Sequence, residues 1–63
     1  MTIYIIQATT YIKGENHIDV ENCYAVNDED KAKTDVYMLN EKYGIDNEIY
    51  RINYRYQELG MVE

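Results

Sequence analysis

One stretch of this chain spaces its apolar side chains at a helical period while the segments around it have the pattern and composition of strands, and that contrast dictates an α+β fold. Ala32, Val36, Leu39 and Tyr43 recur at i, i+4, i+7 and i+11, which sets them on one stripe of a helix. Asn27-Asp28-Glu29-Asp30 announces the segment, because Asn27 or Asp28 can cap the free amides and the acids lie against the positive end of the helix dipole. Glu29 and Lys33 form a favourable i, i+4 pair. Gly44 ends the segment as a C′ residue, so the helix is predicted over about residues 28–43.

The remaining segments read as strands over about residues 2–12, 17–26 and 48–59. In TIYIIQATTYI, Ile3, Ile5 and Tyr11 point one way, and Tyr4, Ile6, Ala8 and Ile12 point the other. Two partly apolar faces suit a central strand. Lys13-Gly14-Glu15-Asn16 follows as a short hairpin loop, which pairs Ile12 with His17. In the second strand Ile18, Val20, Tyr24 and Val26 alternate with His17, Asp19, Glu21, Cys23 and Ala25, and only Asn22 interrupts the apolar face. In the last, Tyr50, Ile52, Tyr54 and Tyr56 alternate with Arg51, Asn53, Arg55 and Gln57. A right-handed crossover through the helix then gives ββαβ, a three-stranded antiparallel sheet in the order 2-1-3 with the helix packed on one face and the other bare.

Composition limits what such a domain can do. Sixty-three residues make a single domain, 1–63, with 12 acidic against 6 basic side chains. A chain of this size buries only about 60% of its unfolded surface, and one cysteine, Cys23, cannot close an intrachain disulfide. Oligomerisation or a partner would supply the missing burial, so a homodimer is expected. There is no serine, and His17 and Cys23 are single, which excludes serine nucleophiles and four-ligand Cys/His zinc sites within one chain. No apolar run approaches the roughly 20 residues of a membrane span, and no secretory signal opens the chain, so a cytoplasmic location is expected.

The bare sheet face is expected to carry Tyr4, Ile6 and Ala8, flanked by Arg51 and Arg55 on one side and by Asp19, Glu21 and Cys23 on the other. An apolar centre within a charged rim is the anatomy of a docking surface. Tyr37 and Met38 lie off the helical stripe and are further contact candidates. His17, Asp19 and Glu21 stand at i, i+2 and i+4 on one strand face, a pattern that a polar outward face explains without metal. Cys23 reads as a small, buried or half-buried hydrophobe. Asp28, Glu29, Asp30 and Asp35, with Asp19 and Glu21, form an acidic surface able to mimic nucleic acid toward a basic groove. The same charge opposes direct nucleic-acid binding. No cofactor, metal site or catalytic set is expected.

A short, acidic, tyrosine-rich chain with a proline-free ββαβ plan, in which NDEDKAKTDVYMLNEKYG feeds a tyrosine-rich strand, resembles the small early proteins of bacteriophages. The resemblance implies a stoichiometric inhibitor of a bacterial host or defence protein, of CRISPR-Cas, nuclease or helicase type, acting in the cytoplasm of an infected bacterium. The alternative from the residues is a homodimer that sequesters a nucleotide-like signal, with Arg51 and Arg55 on phosphate and tyrosine on the base.

Overall fold

A computed structural model describes residues 2–61; Met1, Val62 and Glu63 of the expected domain lie outside them. Strands β1 (Thr2–Ile12) and β2 (His17–Val26) form a hairpin, helix α1 (Glu29–Tyr43) follows, and β3 (Ile45–Asp46) and β4 (Tyr50–Met61) complete a sheet of order β2-β1-β4-β3. All neighbours are antiparallel and β1 lies between its two long partners. The α+β class and the helix bounds agree with the sequence pattern. The strand count does not, because Ile45–Asp46 adds a fourth strand against Ile52 and Arg51. Two residues are too few to show an alternation. The last strand starts two residues later than predicted, since Asn47 Oδ1 accepts from the amides of Ile49 and Tyr50, at 2.8 and 2.9 Å, and holds the chain in a turn.

The hairpin pairs Ile12 with His17 as its loop length requires, with Gly14 at φ 95° and Asn16 at φ 52° supplying the reversal. The register then slips between Ile6 and Gln7: Gln7 faces Asn22, whereas Ile6 faces Tyr24. Cys23 is the extra residue of a β-bulge. Because side chains alternate with period two, one inserted residue exchanges the faces of everything beyond it. Tyr24 and Val26 therefore share a face with Tyr4 and Ile6, while Ile18, Val20 and Asn22 lie on the opposite one. The apolar face expected on one side of β2, interrupted only at Asn22, is two half-faces on opposite sides.

Helix α1 begins at a Asp28 cap, whose Oδ1 accepts from the Asp30 amide at 3.0 Å. Its 15 residues at 1.5 Å each reach about 22 Å, against about 40 Å for a 12-residue strand, so it covers about half of one sheet face. Between helix and sheet lie the buried apolar side chains Ala32 of the helix and Tyr4 and Ile6 of β1, bordered by Val36 and Leu39 of the helix and by Val26 and Tyr56 of the sheet. The Tyr4 and Tyr56 rings meet edge to face at 5.8 Å. Glu29 accepts from the Tyr56 hydroxyl at 3.3 Å, and the i, i+4 ion pair that forms is Lys31–Asp35 instead of Glu29–Lys33.

Gly44 closes the helix in an extended conformation, φ −62° and ψ 136°, without the left-handed turn of a C′ glycine. Its need for glycine is spatial: a Cβ there would collide with the Asn40 carbonyl, which accepts the Gly44 amide. The helix thus runs directly into β3.

Candidate functional site

The sheet face away from the helix is built of cross-strand rows running β2, β1, β4. Ile18, Tyr11 and Arg51 form one, followed by Val20, Thr9 and Asn53, then Asn22, Gln7 and Arg55, and finally Ala25, Ile5 and Gln57. Ile18 and Val20 are exposed, at 60% and 45%. Arg51, Arg55, Tyr11 and Ile18, with Thr9 and Asn53, line a shallow depression of about 720 Å³. The expected arginine pair is thus on the open face, in apolar company other than that expected.

Tyr4 and Ile6 are the correction. Ile6 pairs with Tyr56 and Tyr4 with Glu58 in β4, and Ile6 pairs with Tyr24 in β2, so both side chains point at the helix. Ile6 is fully buried and Tyr4 is 9% exposed. Ala8 pairs with Tyr54 and Glu21 and lies on that same face. Asp19 and Glu21 also leave the open face, since they pair with Thr10 and Ala8. Cys23 is exposed rather than buried, because the bulge lifts it out of the ladder; its Sγ lies 3.8 Å from the Glu21 carbonyl oxygen.

At the middle of the open face stands a polar residue that sequence reasoning passed over. Gln7 is 8% exposed. Its Nε2 donates to Asn22 Oδ1 at 2.9 Å and to Gln57 Oε1 at 3.3 Å, and its Oε1 accepts from Arg55 Nε at 3.0 Å. Both ends of the amide are satisfied, as a buried polar group requires, and Arg55 is held in place. Gln7 is the one polar side chain within the run from Ile3 to Ala8, and that interruption is its signal. Arg51 Nε lies 3.7 Å from Asp46 Oδ1. Asp46 also accepts from Lys13 Nζ at 2.7 Å. The Lys13 hydrogen bond and then its charge, with Arg51 adding to them, hold the Asp46 carboxyl below its ordinary 3.8.

On the helix, Tyr37 and Met38 are exposed, at 67% and 60%, and they line a second depression with Tyr24, Asp35 and Tyr43 among others. Several of the expected surface acids have internal partners. Asp28 caps the helix, Glu29 accepts from Tyr56, and Asp35 accepts from Tyr24 Oη at 2.8 Å. Asp30 sits in the first helical turn. Burial, then the hydrogen bond to Asp35, pushes the Tyr24 phenol up to about 12. Burial, then the Glu29 charge, raises the Tyr4 phenol above its ordinary 10.0. His17 Nε2 lies 2.9 Å from Asp19 Oδ1. Among the described residues no three His, Cys, Asp or Glu side chains converge as metal ligands.

The two sheet edges differ. Along β4 from Tyr50 to Tyr54 the outward backbone groups are taken in turn. Tyr50 exchanges hydrogen bonds with Asn47, Ile52 pairs with Ile45, and Asn40 mimics a strand residue at Tyr54, accepting its N–H at 2.6 Å and donating to its C=O at 3.1 Å. Asn40 was not legible beforehand: it lies beside Leu39 in the helix and gives no strand signal. Along β2 no described residue hydrogen-bonds the outward groups of Ile18 or Val20.

Among the described residues no helix is long and apolar enough to cross a membrane. Comparison with protein-family models, curated proteins and solved structures finds no match to this chain.

Proposed function

We propose that the chain is a non-enzymatic binding module that attaches through its open sheet face to a bacterial host or defence protein and blocks it. The observation that supports this is the uncovered face itself: Tyr11, Ile18 and Val20 beside Arg51 and Arg55, in a chain whose buried apolar side chains among the described residues are Tyr4, Ile6 and Ala32. Apolar side chains left in water beside arginine are what protein interfaces bury. The likeness to small phage early proteins supplies the class of partner and the inhibitory outcome. Arg51 and Arg55 carry the charge recognition, Ile18 and Val20 the apolar contact, and the exposed helix flank of Tyr37 and Met38 extends the reach.

The test compares the chain with an R51E/R55E variant, both folded by circular dichroism, against purified CRISPR effector, nuclease and helicase proteins. One-to-one inhibition by the first and its loss in the second is the expected result. Equal inhibition by both would remove the open face from the contact.

A second reading has one observation in its favour, the placing of Arg51, Arg55 and Tyr11 around one depression. Two copies closing over it could sequester a nucleotide-like ligand, phosphate on arginine and base on tyrosine. Thermal shift with cyclic nucleotides, together with a dimeric mass by light scattering, would favour it over the first.

A further inference from the structure

We propose that the β2 edge accepts one extended segment of a partner protein, a strand carrying basic side chains on one face and apolar side chains on the other. This rests on the reading of the chain as a protein-binding module and adds where, and by what chemistry, the partner is held.

The direction of the free backbone groups follows from Asn40. It engages both the N–H and the C=O of Tyr54, so those groups point away from β1. Ala8, opposite Tyr54, then directs its own backbone groups to Glu21 in β2, and alternation follows along the hairpin. His17, Asp19 and Glu21 face inward, while Ile18 and Val20 present their N–H and C=O outward. From His17 to Asn22 the edge is regular, every residue is exposed, and it holds neither Pro nor Lys; what guards it are the acids Asp19 and Glu21 and the bulge beyond it at Cys23. The β4 edge, by contrast, is occupied at its three successive outward positions from Tyr50 to Tyr54.

The occupant is selected by charge. A second copy adding β2 to β2 antiparallel must pair outward residues with outward ones. Centring the two-fold on Val20 sets Asp19 of each copy opposite Glu21 of the other, and centring it one residue away sets Asp19 against Asp19 or Glu21 against Glu21. Like charges directly opposite destabilise a strand pair. The acids that repel a second copy attract a strand with Lys or Arg at the same positions, while Ile18 and Val20 meet apolar side chains on the other face. The net charge of −6 favours the same partner.

The probe is an end-blocked nonapeptide of alternating valine and lysine, added to the full chain with amide hydrogen exchange read by NMR. It is expected to slow exchange at Ile18 and Val20 at least tenfold. N-methylation of its valine amides, which face β2, is expected to abolish the effect, and N-methylation of its lysine amides to preserve it. A peptide with glutamate in place of lysine is expected to bind at least tenfold more weakly, and D19N/E21Q to narrow that difference while allowing the chain to dimerise. The proposal is overturned if exchange at Ile18 and Val20 is unaffected, if the methylation pattern is immaterial, or if lysine and glutamate peptides bind alike. A wild-type dimer with those two amides already protected would also overturn it. Because R51E/R55E leaves the edge untouched, the open-face reading and the edge proposal can fail separately.

Discussion

The two halves of β1 are held by different physics. From Thr2 to Gln7 the strand lies beneath the helix and contains Tyr4, Ile6 and Gln7, its buried residues. From Ala8 to Ile12 it is only half-buried, and its surroundings are tied by polar clips: Thr9 Oγ1 to the Asn53 carbonyl at 3.0 Å, and Lys13 Nζ to Asp46 and to the Asn47 carbonyl at 2.7 and 2.6 Å. Apolar burial is worth kilocalories per side chain, whereas exposed ion pairs contribute little. The same strand is therefore stability-determining at one end and replaceable at the other.

The largest expected effect comes from breaking the covered half. Ile6→Ala should cost about 2–5 kcal/mol, enough to unfold a chain of this size, and urea denaturation followed by circular dichroism would measure it. Between the halves, Asn40→Ala leaves the Tyr54 N–H and C=O without partners and should cost about 1–3 kcal/mol, with amide exchange quickening first at Tyr54. Tyr24→Phe is smaller, about 1 kcal/mol or less, because the ring is partly exposed. It carries a pH signature. The folded phenol at about 12 lies above the ordinary 10.0, so its contribution is intact below pH 10 and lost as the pH rises toward 12. Denaturation midpoints across that range should fall less steeply in the variant.

The smallest effect belongs to the clipped half. Lys13→Ala should scarcely move the neutral-pH midpoint. Asp46 titrates below its ordinary 3.8, so its contribution holds above that value and disappears as acid protonates it. The variant should lose this acid-side slope and show faster exchange in the hairpin. A Lys13→Ala cost equal to that of Ile6→Ala would erase the distinction between the two halves.

Much of the architecture was legible because it depends on local chemistry. The Asp28 cap, the helix stripe, the central position of β1 and the pairing of Ile12 with His17 follow from neighbours in sequence. The faces were not, because they depend on register between distant strands. A single inserted residue at Cys23 moves Ile18 and Val20 to the open side, and the pairing of Ile6 with Tyr56 turns Tyr4 and Ile6 inward. Asn22, polar at a position where the alternation called for an apolar residue, marks where the phase changes. Arg51 and Arg55 were placed on the open face because β4 alternates without a slip there. The depression around them required knowing that Tyr11 and Ile18 share their face.

The sheet order also has a kinetic consequence. The hairpin of β1 and β2 and the link from α1 to β4 through Asn40 join residues 14 or 15 apart, as in Asn40–Tyr54 and Gln7–Asn22, but Gln7 and Arg55 are 48 apart. Closing the long loop costs chain entropy before its contacts can form. Two local units should therefore assemble early and wait, and the rate-limiting event should be the zipping of β4 onto β1. Until that step, the central strand has one bare edge and an uncovered Ile6, so during synthesis the chain depends on its last strand to leave an aggregation-prone state.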